Sequence, residues 1–385
     1  MQPIFSEVEI ERRQTEICAV LEADCLVVTS FHNSYYSSGF PMRQFGRYAV
    51  TLLFRDSDPV LLVPTFELSG ARLQSPINDI RTYGDTAPPL DLVARAVASV
   101  ISERGVSHVG IEAEGMPAAL MTRLADLLRG ASLTDQSSAI DRVRLVSSEE
   151  ELAYLRKAAA IADAGMHELL ALVEPGVLET ELVAAAYRAM EPLIADGLDV
   201  HLNCYMQQNE RSAECHASAM PVPISEQGFV ELLVECEVWH YQVSIERPVL
   251  LGAPDAELRH AYDVALLAYR GARDAVRPGA TFASVDAVSR EILTSSGYEN
   301  VMSGAGLVRN VLHHTGGRLP EGELRAYNQR SLEPGISLTI EPWALVDGIG
   351  GVRFCQPVVV TAGGYEELAS TPDDVLAAGF GGTAA

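Results

Sequence analysis

The sequence predicts an α+β protein of two units: a layered α/β unit over residues 1–145, and a larger α+β unit over 146–385 made of two similar halves. Three observations lead there. Short apolar strands alternate with amphipathic helical segments up to about Gln136, and a capping box, Ser148-Glu-Glu-Glu151, then opens a long helical stretch. From that point the chain echoes itself. Leu172-Val-Glu-Pro-Gly-Val and Ala275-Val-Arg-Pro-Gly-Ala each precede a helix-like stretch, with Pro175 and Pro278 103 residues apart. Gly228-Phe-Val-Glu-Leu-Leu-Val-Glu and Gly335-Ile-Ser-Leu-Thr-Ile-Glu each lead an apolar strand, 107 residues apart. Duplicated halves of this kind pack about a pseudo-twofold axis, and the cleft between them is a natural ligand site.

In order, Ser6 with Glu9 reads as the capping box of a helix to about Leu21, and Cys25-Leu-Val-Val-Thr-Ser as a buried strand. Arg47 to Phe54 and Val60 to Val63 form a hairpin across the Asp56-Ser-Asp-Pro turn. Helical segments Leu90 to Glu103 and Ala118 to Leu128 then alternate with strands His108 to Ile111 and Ser132 to Thr134. The helix opened by Ser148 runs to about Val173, and Trp239 to Gly252 reads as a strand in which Ser244 and Glu246 share one face.

Composition narrows the function. The chain has 385 residues, 48% of them apolar and 21% charged, which is ordinary for a compact globular protein. Its 52 acidic against 28 basic residues give a formal charge of −24, a field that repels nucleic acid and anionic lipid. No apolar run approaches the roughly 18 residues that span a bilayer, and no basic-then-apolar leader opens the sequence, so a cytoplasmic protein is expected. Six cysteines without a Cys-x-x-Cys pair suit reduced thiols rather than a disulfide framework or a zinc knuckle.

Four constellations carry chemistry. His216 lies among small residues in Glu-Cys-His-Ala-Ser-Ala-Met; its neighbour Cys215 points the other way on an extended chain, so His216 would act as an acid or base and not in a Cys-His dyad. A surface or core histidine is the competing reading. Glu246 on an apolar strand needs a cationic partner, and Arg247, alternating to the opposite face, is not an obvious one. Leu312-His-His-Thr-Gly-Gly-Arg318 places two adjacent histidines that cannot both ligate one ion from a strand; a solvated loop is the alternative. Thr339-Ile-Glu-Pro-Trp puts Glu341 at a strand end, just before a Pro that ends regular pairing.

Together these motifs resemble the pita-bread family of creatinase, prolidase and the proline-directed aminopeptidases, creatinase most closely. Thr29-Ser-Phe-His-Asn-Ser-Tyr-Tyr-Ser-Ser-Gly-Phe, Phe45-Gly-Arg47, the 30-residue interval from His216 to Glu246, the Glu-Arg at 246 and 247, the Gly-Arg at 317 and 318 and the Ile-Glu-Pro at 340 to 342 carry the likeness. The resemblance implies an N-terminal creatinase-like α/β domain followed by a C-terminal pita-bread domain with pseudo-twofold internal duplication. By register, the five metal-ligand positions of the family's metallopeptidases fall on Leu233, Ser244, Leu307, Glu341 and Cys355, only one of which is an expected ligand here. Glu235 and Glu237 share the parity of Leu233, so a register slip would return a carboxylate and a weak single-ion site.

The resemblance therefore implies no metal and no cofactor: a metal-independent, creatinase-like hydrolysis of a C–N bond in a small zwitterionic guanidino, amidine or cyclic amidine compound. His216 would be the general acid/base, and Glu246 with Glu341 would hold the substrate cation. Phe45, Arg47, Tyr241, Gln242, Leu307, His314, Arg318 and Cys355 would line the substrate pocket, with Phe45 and Arg47 supplied by the other subunit of a homodimer. Two alternatives stand beside it: a residual Xaa-Pro metallopeptidase, and a non-catalytic pita-bread module that binds a small molecule.

Overall fold

The computed structural model describes residues 3–42, 46–195, 197–214, 216–298 and 323–375, together with the backbone of 306 and 307. The chain divides into two compact units, residues 1–144 and 145–385. No helix among the described residues is long and apolar enough to cross a membrane.

The first unit is built on a six-stranded sheet. Its strands are β1 (Cys25–Val28), β2 (Val50–Phe54), β3 (Val60–Pro64), β4 (Asp79–Tyr83), β5 (His108–Ile111) and β6 (Ser132–Asp135), in the order β4-β3-β2-β1-β5-β6. Among the described residues, six α-helices accompany it: α1 (Glu7–Val20), α2 (Phe31–Ser38), α3 (Leu68–Gln74), α4 (Pro89–Glu103), α5 (Ala118–Leu127) and α6 (Ser137–Arg144). β1 to β3 run antiparallel, while β3 with β4, and β1, β5 and β6, are parallel, as crossover helices require. Val93 and Val97 of α4 and Leu120 and Leu124 of α5 pack in one core with Val27, Leu52, Leu62 and Val109 of the sheet. Ser6 caps α1 by accepting the Glu9 N–H, and the Glu9 carboxylate turns to Arg13 at 2.7 Å. One expectation needed adjusting. β2 begins at Val50 and not Arg47, because the Tyr48 N–H donates to the Tyr83 hydroxyl (2.9 Å) instead of a strand ladder. The segment after Ser30 is a helix whose first turn rests on a buried acid: Glu112 accepts the Thr29 and Ser30 N–H groups and the Asn33 amide.

In the second unit, α7 (Glu149–Leu172) starts at the expected capping box: Ser148 Oγ accepts the Glu151 N–H (3.3 Å) and Glu151 Oε2 accepts the Ser148 N–H (2.9 Å). There follow α8 (Glu179–Met190), β7 (Val200–Gln208), β8 (Gly228–Val238), β9 (Tyr241–Leu251), α9 (Ala256–Asp274) and α10 (Phe282–Ser295). The remaining strands are β10 (Gly306–Leu307), β11 (Glu323–Leu324), β12 (Ser337–Ile340), β13 (Trp343–Val346), β14 (Gly350–Arg353), β15 (Gln356–Thr361) and β16 (Gly364–Glu367). They form an antiparallel sheet β7-β8-β9, a five-stranded sheet β11-β10-β12-β15-β16, and the ribbon β13-β14. The echo in the sequence is an echo in structure. α7 packs on α8 and α9 on α10, and the turns before α8 and α10 hold Gly176 at φ 92° and Gly279 at φ 82°. β8 and β12 are likewise led by Gly228 (φ 104°) and Gly335 (φ 95°).

Two long-range features join these parts. Glu246 of β9 and Cys355, just before β15, exchange backbone hydrogen bonds of 3.1 Å in both directions. Arg247, fully buried, spends its five N–H groups on five acceptors: the carbonyls of Glu246, Cys355, Thr371 and Pro372 and the Gln356 Oε1, at 2.6–3.0 Å. The C-terminal segment is further held by Asp373, whose carboxylate meets Arg270 at 2.9 Å.

Two tests follow. Gly350 lies at φ 132°, and a Cβ there would sit 2.2 Å from both the Asn209 carbonyl oxygen and Ser212 Oγ, so Gly350→Ala should lower unfolding free energy by about 3 kcal/mol in urea titrations. The hydrogen bond from Arg270 holds the Asp373 carboxyl at about 2, below its ordinary 3.8. The folded-state value is depressed, so this stabilisation is present above about pH 4 and is lost as pH falls toward 2. The stability gap between the wild type and Asp373→Asn should close over that interval.

Candidate functional site

Strand alternation and register assemble one polar face on the β7-β8-β9 sheet. Gln207, Glu231 and Pro248 form one row across it; Tyr205, Leu233 and Glu246 the next; Asn203, Glu235 and Ser244 a third; His201, Glu237 and Gln242 a fourth. The other face is apolar and packs on α7, where Tyr241 stacks on Tyr154 and donates its hydroxyl hydrogen to Glu151 (2.9 Å). Glu231, Glu235, Glu237 and Glu246 are all buried, which is costly unless each is engaged. Glu235 Oε1 accepts from the Gln242 amide (3.0 Å) and the Ser244 hydroxyl (3.1 Å), and Glu237 faces His240 Nδ1 at 2.9 Å. His240 and Trp239 make the tight turn between β8 and β9, both at positive φ (69° and 48°), a conformation that usually selects Asn or Gly.

The cation of this face is Arg353. Its Nη2 lies 2.9 Å from Glu246 Oε1 and donates to Gln207 Oε1 (3.2 Å); its backbone N–H donates to Glu231 Oε2 (3.1 Å), and its guanidinium lies over the Trp343 ring at 5.0 Å. Burial, then the negative charge of Glu246, pushes the Glu231 carboxyl well above the usual carboxylate range, and Arg353 offsets only part of this. Arg353, Glu231, Gln207 and Tyr205 are the residues that sequence reasoning missed. Glu231 shares the parity of Leu233, a usable signal; Arg353 and Gln207 depend on pairings between distant strands.

His216 is exposed at the rim of this face, edge-on to Tyr205 with ring centroids 5.4 Å apart. Its loop is tied down on both sides. Gln207 Nε2 donates to the Ala217 carbonyl (2.7 Å), Ser218 bridges to Tyr205, and Arg211 donates to the Ser218 carbonyl (3.0 Å). Glu179, fully buried, pairs with Arg211 and accepts the Met220 N–H (2.8 Å).

The other anticipated residues fall in different places. Gln242 is on the polar face, whereas Tyr241 is on the opposite, helix-facing side, because neighbours in a strand alternate. Cys355 is fully buried beside Glu246 and donates its thiol hydrogen to the Ser244 carbonyl (3.2 Å). The pairing Ile340 with Gln356 puts Glu341, half-buried, and Cys355 at adjoining ends of β12 and β15. Leu307 pairs with Thr339 in β10. Arg47, in the first unit, is engaged by Asp85 at 2.9 Å. Phe45, His314 and Arg318 lie outside the described residues. The expectation that Glu246 needs an organic cation is corrected by Arg353, which already supplies a positive charge.

The register also tests the metal positions. No slip occurs: Leu233 is opposite Glu246, and Glu235 opposite Ser244. Leu233 is aliphatic and buried, the Ser244 hydroxyl and Cys355 thiol are both spent as donors, and a guanidinium stands beside Glu246. Among the described residues no group of three or more His, Cys, Asp or Glu is arranged to hold a metal ion. Divalent ions want several oxygen or nitrogen ligands, and this donor set does not fit a two-metal centre.

The Glu246–Arg353 pair yields a stability prediction. Arg353→Met strands a buried carboxylate and should cost about 3–5 kcal/mol, whereas adding Glu246→Gln should recover much of that loss, because removing both charges is far less disruptive than removing one. Urea unfolding of the single and double variants measures both terms.

Comparison with known proteins places this geometry in a family. The sequence matches Metallopeptidase family M24 over residues 153–362 and the Creatinase/Prolidase N-terminal domain over residues 12–146. A Staphylococcus aureus (strain bovine RF122 / ET3-1) protein named as an uncharacterized peptidase is 26% identical, covering 90% of this chain and 95% of its own. The prolidase from Pyrococcus horikoshii OT3 has the same fold at a TM-score of 0.81 (22% identity, 94% of this chain, 99% of that one). So does the dipeptidase PepE from Mycobacterium ulcerans, at 0.82 (24% identity, 96% and 98%). An Xaa-Pro dipeptidase from Bacillus anthracis reaches 0.79 (22% identity, 94% and 98%). These findings overturn the expectation of a metal-independent amidinohydrolase: the family is one of metallopeptidases, and the relatives are named peptidases. The expectation of a hydrolase-family enzyme stands; its guanidino or amidine substrate does not. The chain belongs to Metallopeptidase family M24, with a creatinase/prolidase N-terminal domain preceding a pita-bread domain.

Proposed function

We propose that this protein hydrolyses short peptides of the Xaa-Pro class. The observation that carries the reading is end-to-end correspondence: the chain covers 95% or more of a relative named as a peptidase and of structures titled prolidase and dipeptidase. The polar face of the β7-β8-β9 sheet supports it. Glu235 and Glu237 favour the protonated amino end of a peptide over an acyl-blocked one. The Glu246–Arg353 pair offers a carboxylate and a hydrogen-bonding cation side by side, where a carbonyl and an attacking water could be oriented. His216 at the rim is the group placed to move a proton to the departing nitrogen.

Among the described residues the donor set does not fit a two-metal centre, so these roles fall to the chain's own side chains. The test compares Xaa-Pro dipeptides with their Xaa-Ala counterparts, using the protein as purified and after incubation with Mn(II) or Co(II). Hydrolysis that favours Xaa-Pro and requires a free amino end is the expected result; no cleavage of any dipeptide under either condition contradicts the proposal. His216→Ala should lower kcat by about 10²- to 10⁴-fold while leaving dipeptide affinity within about threefold, since it removes proton transfer and not ground-state binding.

A further inference from the structure

We propose that Gln207 is a positioning residue for His216, a buried amide that ties the His216 loop to the Arg353–Glu246 pair and keeps the two in one register. The inference rests on the reading that His216 moves the proton.

The argument starts from satisfaction of a buried amide. Gln207 is fully buried near the end of β7, opposite Glu231. Both ends of its side chain are used: Oε1 accepts from Arg353 Nη2 at 3.2 Å, and Nε2 donates to the Ala217 carbonyl at 2.7 Å. A neutral amide can accept from a cation and donate to a carbonyl at once; a hydrocarbon does neither, and an ionised carboxylate only accepts. One side chain thus touches both the guanidinium that holds Glu246 and the residue next to His216.

His216 needs such a hold. It is exposed, and its ring makes an edge contact with Tyr205, centroids 5.4 Å apart. Tyr205 lies two residues before Gln207 on the same face of β7 and bridges to Ser218, so the ring contact and the amide contact bracket the loop from one strand. Arg211 and Glu179 also staple this loop, through each other and through Ser218 and Met220. They secure its fold, while Gln207 sets its distance from Arg353 and Glu246. Proton transfer is sensitive to displacements of about 1 Å, which can change rate on the order of 100-fold.

The test uses Gln207→Met, which keeps shape and removes both hydrogen bonds, and Gln207→Glu, which keeps an acceptor for Arg353 but, ionised beside that cation, has no hydrogen for the Ala217 carbonyl. Either variant suffices if the other does not fold. The readouts are kcat and KM on an Xaa-Pro dipeptide and the NMR resonance of the His216 imidazole in histidine-labelled full-length protein. The expected result is a kcat lower by about 10- to 100-fold, KM within about threefold, and a His216 signal shifted away from its wild-type position as the Tyr205 ring contact changes. A purely structural role would lower Tm and leave that signal in place. An unmoved His216 signal, or an unchanged kcat in an active enzyme, overturns the inference. If the wild type cleaves no Xaa-Pro peptide and the signal nevertheless moves, the peptidase reading fails and the positioning of His216 by Gln207 stands.

Discussion

An enclosed carboxylate must be engaged by hydrogen-bond donors or a cation, and for Glu246 the engaging group is the Arg353 guanidinium. Much of the second unit is arranged around this requirement. Glu246 comes from β9 and Arg353 from the end of β14, so their ion pair forms only when the β7-β8-β9 sheet and the β13-β14 ribbon are both in place. The backbone exchange between Glu246 and Cys355 fixes the crossing, and Arg247 locks it from the other face by donating to both of those carbonyls and to the C-terminal segment. Charge satisfaction and chain topology are the same constraint here.

That constraint explains which parts were legible in the sequence. Period-two alternation placed Ser244 and Glu246 on one face, and Glu235 and Glu237 with Leu233, because a strand leaves no freedom about parity. The capping box at Ser148 and the repeated Pro-Gly turns are local chemistry, and the duplicated helix pairs follow from them. The partner of Glu246 was not legible. Finding Arg247 on the wrong side, sequence reasoning looked for a cation outside the protein, whereas the chain supplies its own from 107 residues further on. Tyr241 shows the opposite error: it adjoins Gln242 in sequence, and a single step along the strand carries it to the helix side.

Family and site chemistry are separable. Two domain matches and end-to-end likeness to dipeptidase structures establish the lineage and fold. The interior of the hairpin has its own composition: Leu233 where the family resemblance places a ligand, Ser244 and Cys355 turned to hydrogen bonding, and a glutamate-arginine pair alongside. Membership of a metallopeptidase family therefore does not by itself assign the groups that do the work in this chain. Glu231 adds a second buried acid beside this pair, its carboxyl raised by burial and by the charge of Glu246.

The central claim is that the polar face of the β7-β8-β9 sheet, with Arg353 and Glu246 at its heart and His216 at its rim, is where a peptide is received. The most direct measurement is a crystal structure of the protein with a non-hydrolysable Xaa-Pro analogue. The account predicts the analogue's scissile unit on that face, within hydrogen-bond reach of the Glu246–Arg353 pair and close to His216. An analogue bound elsewhere, with that face unchanged, would contradict it.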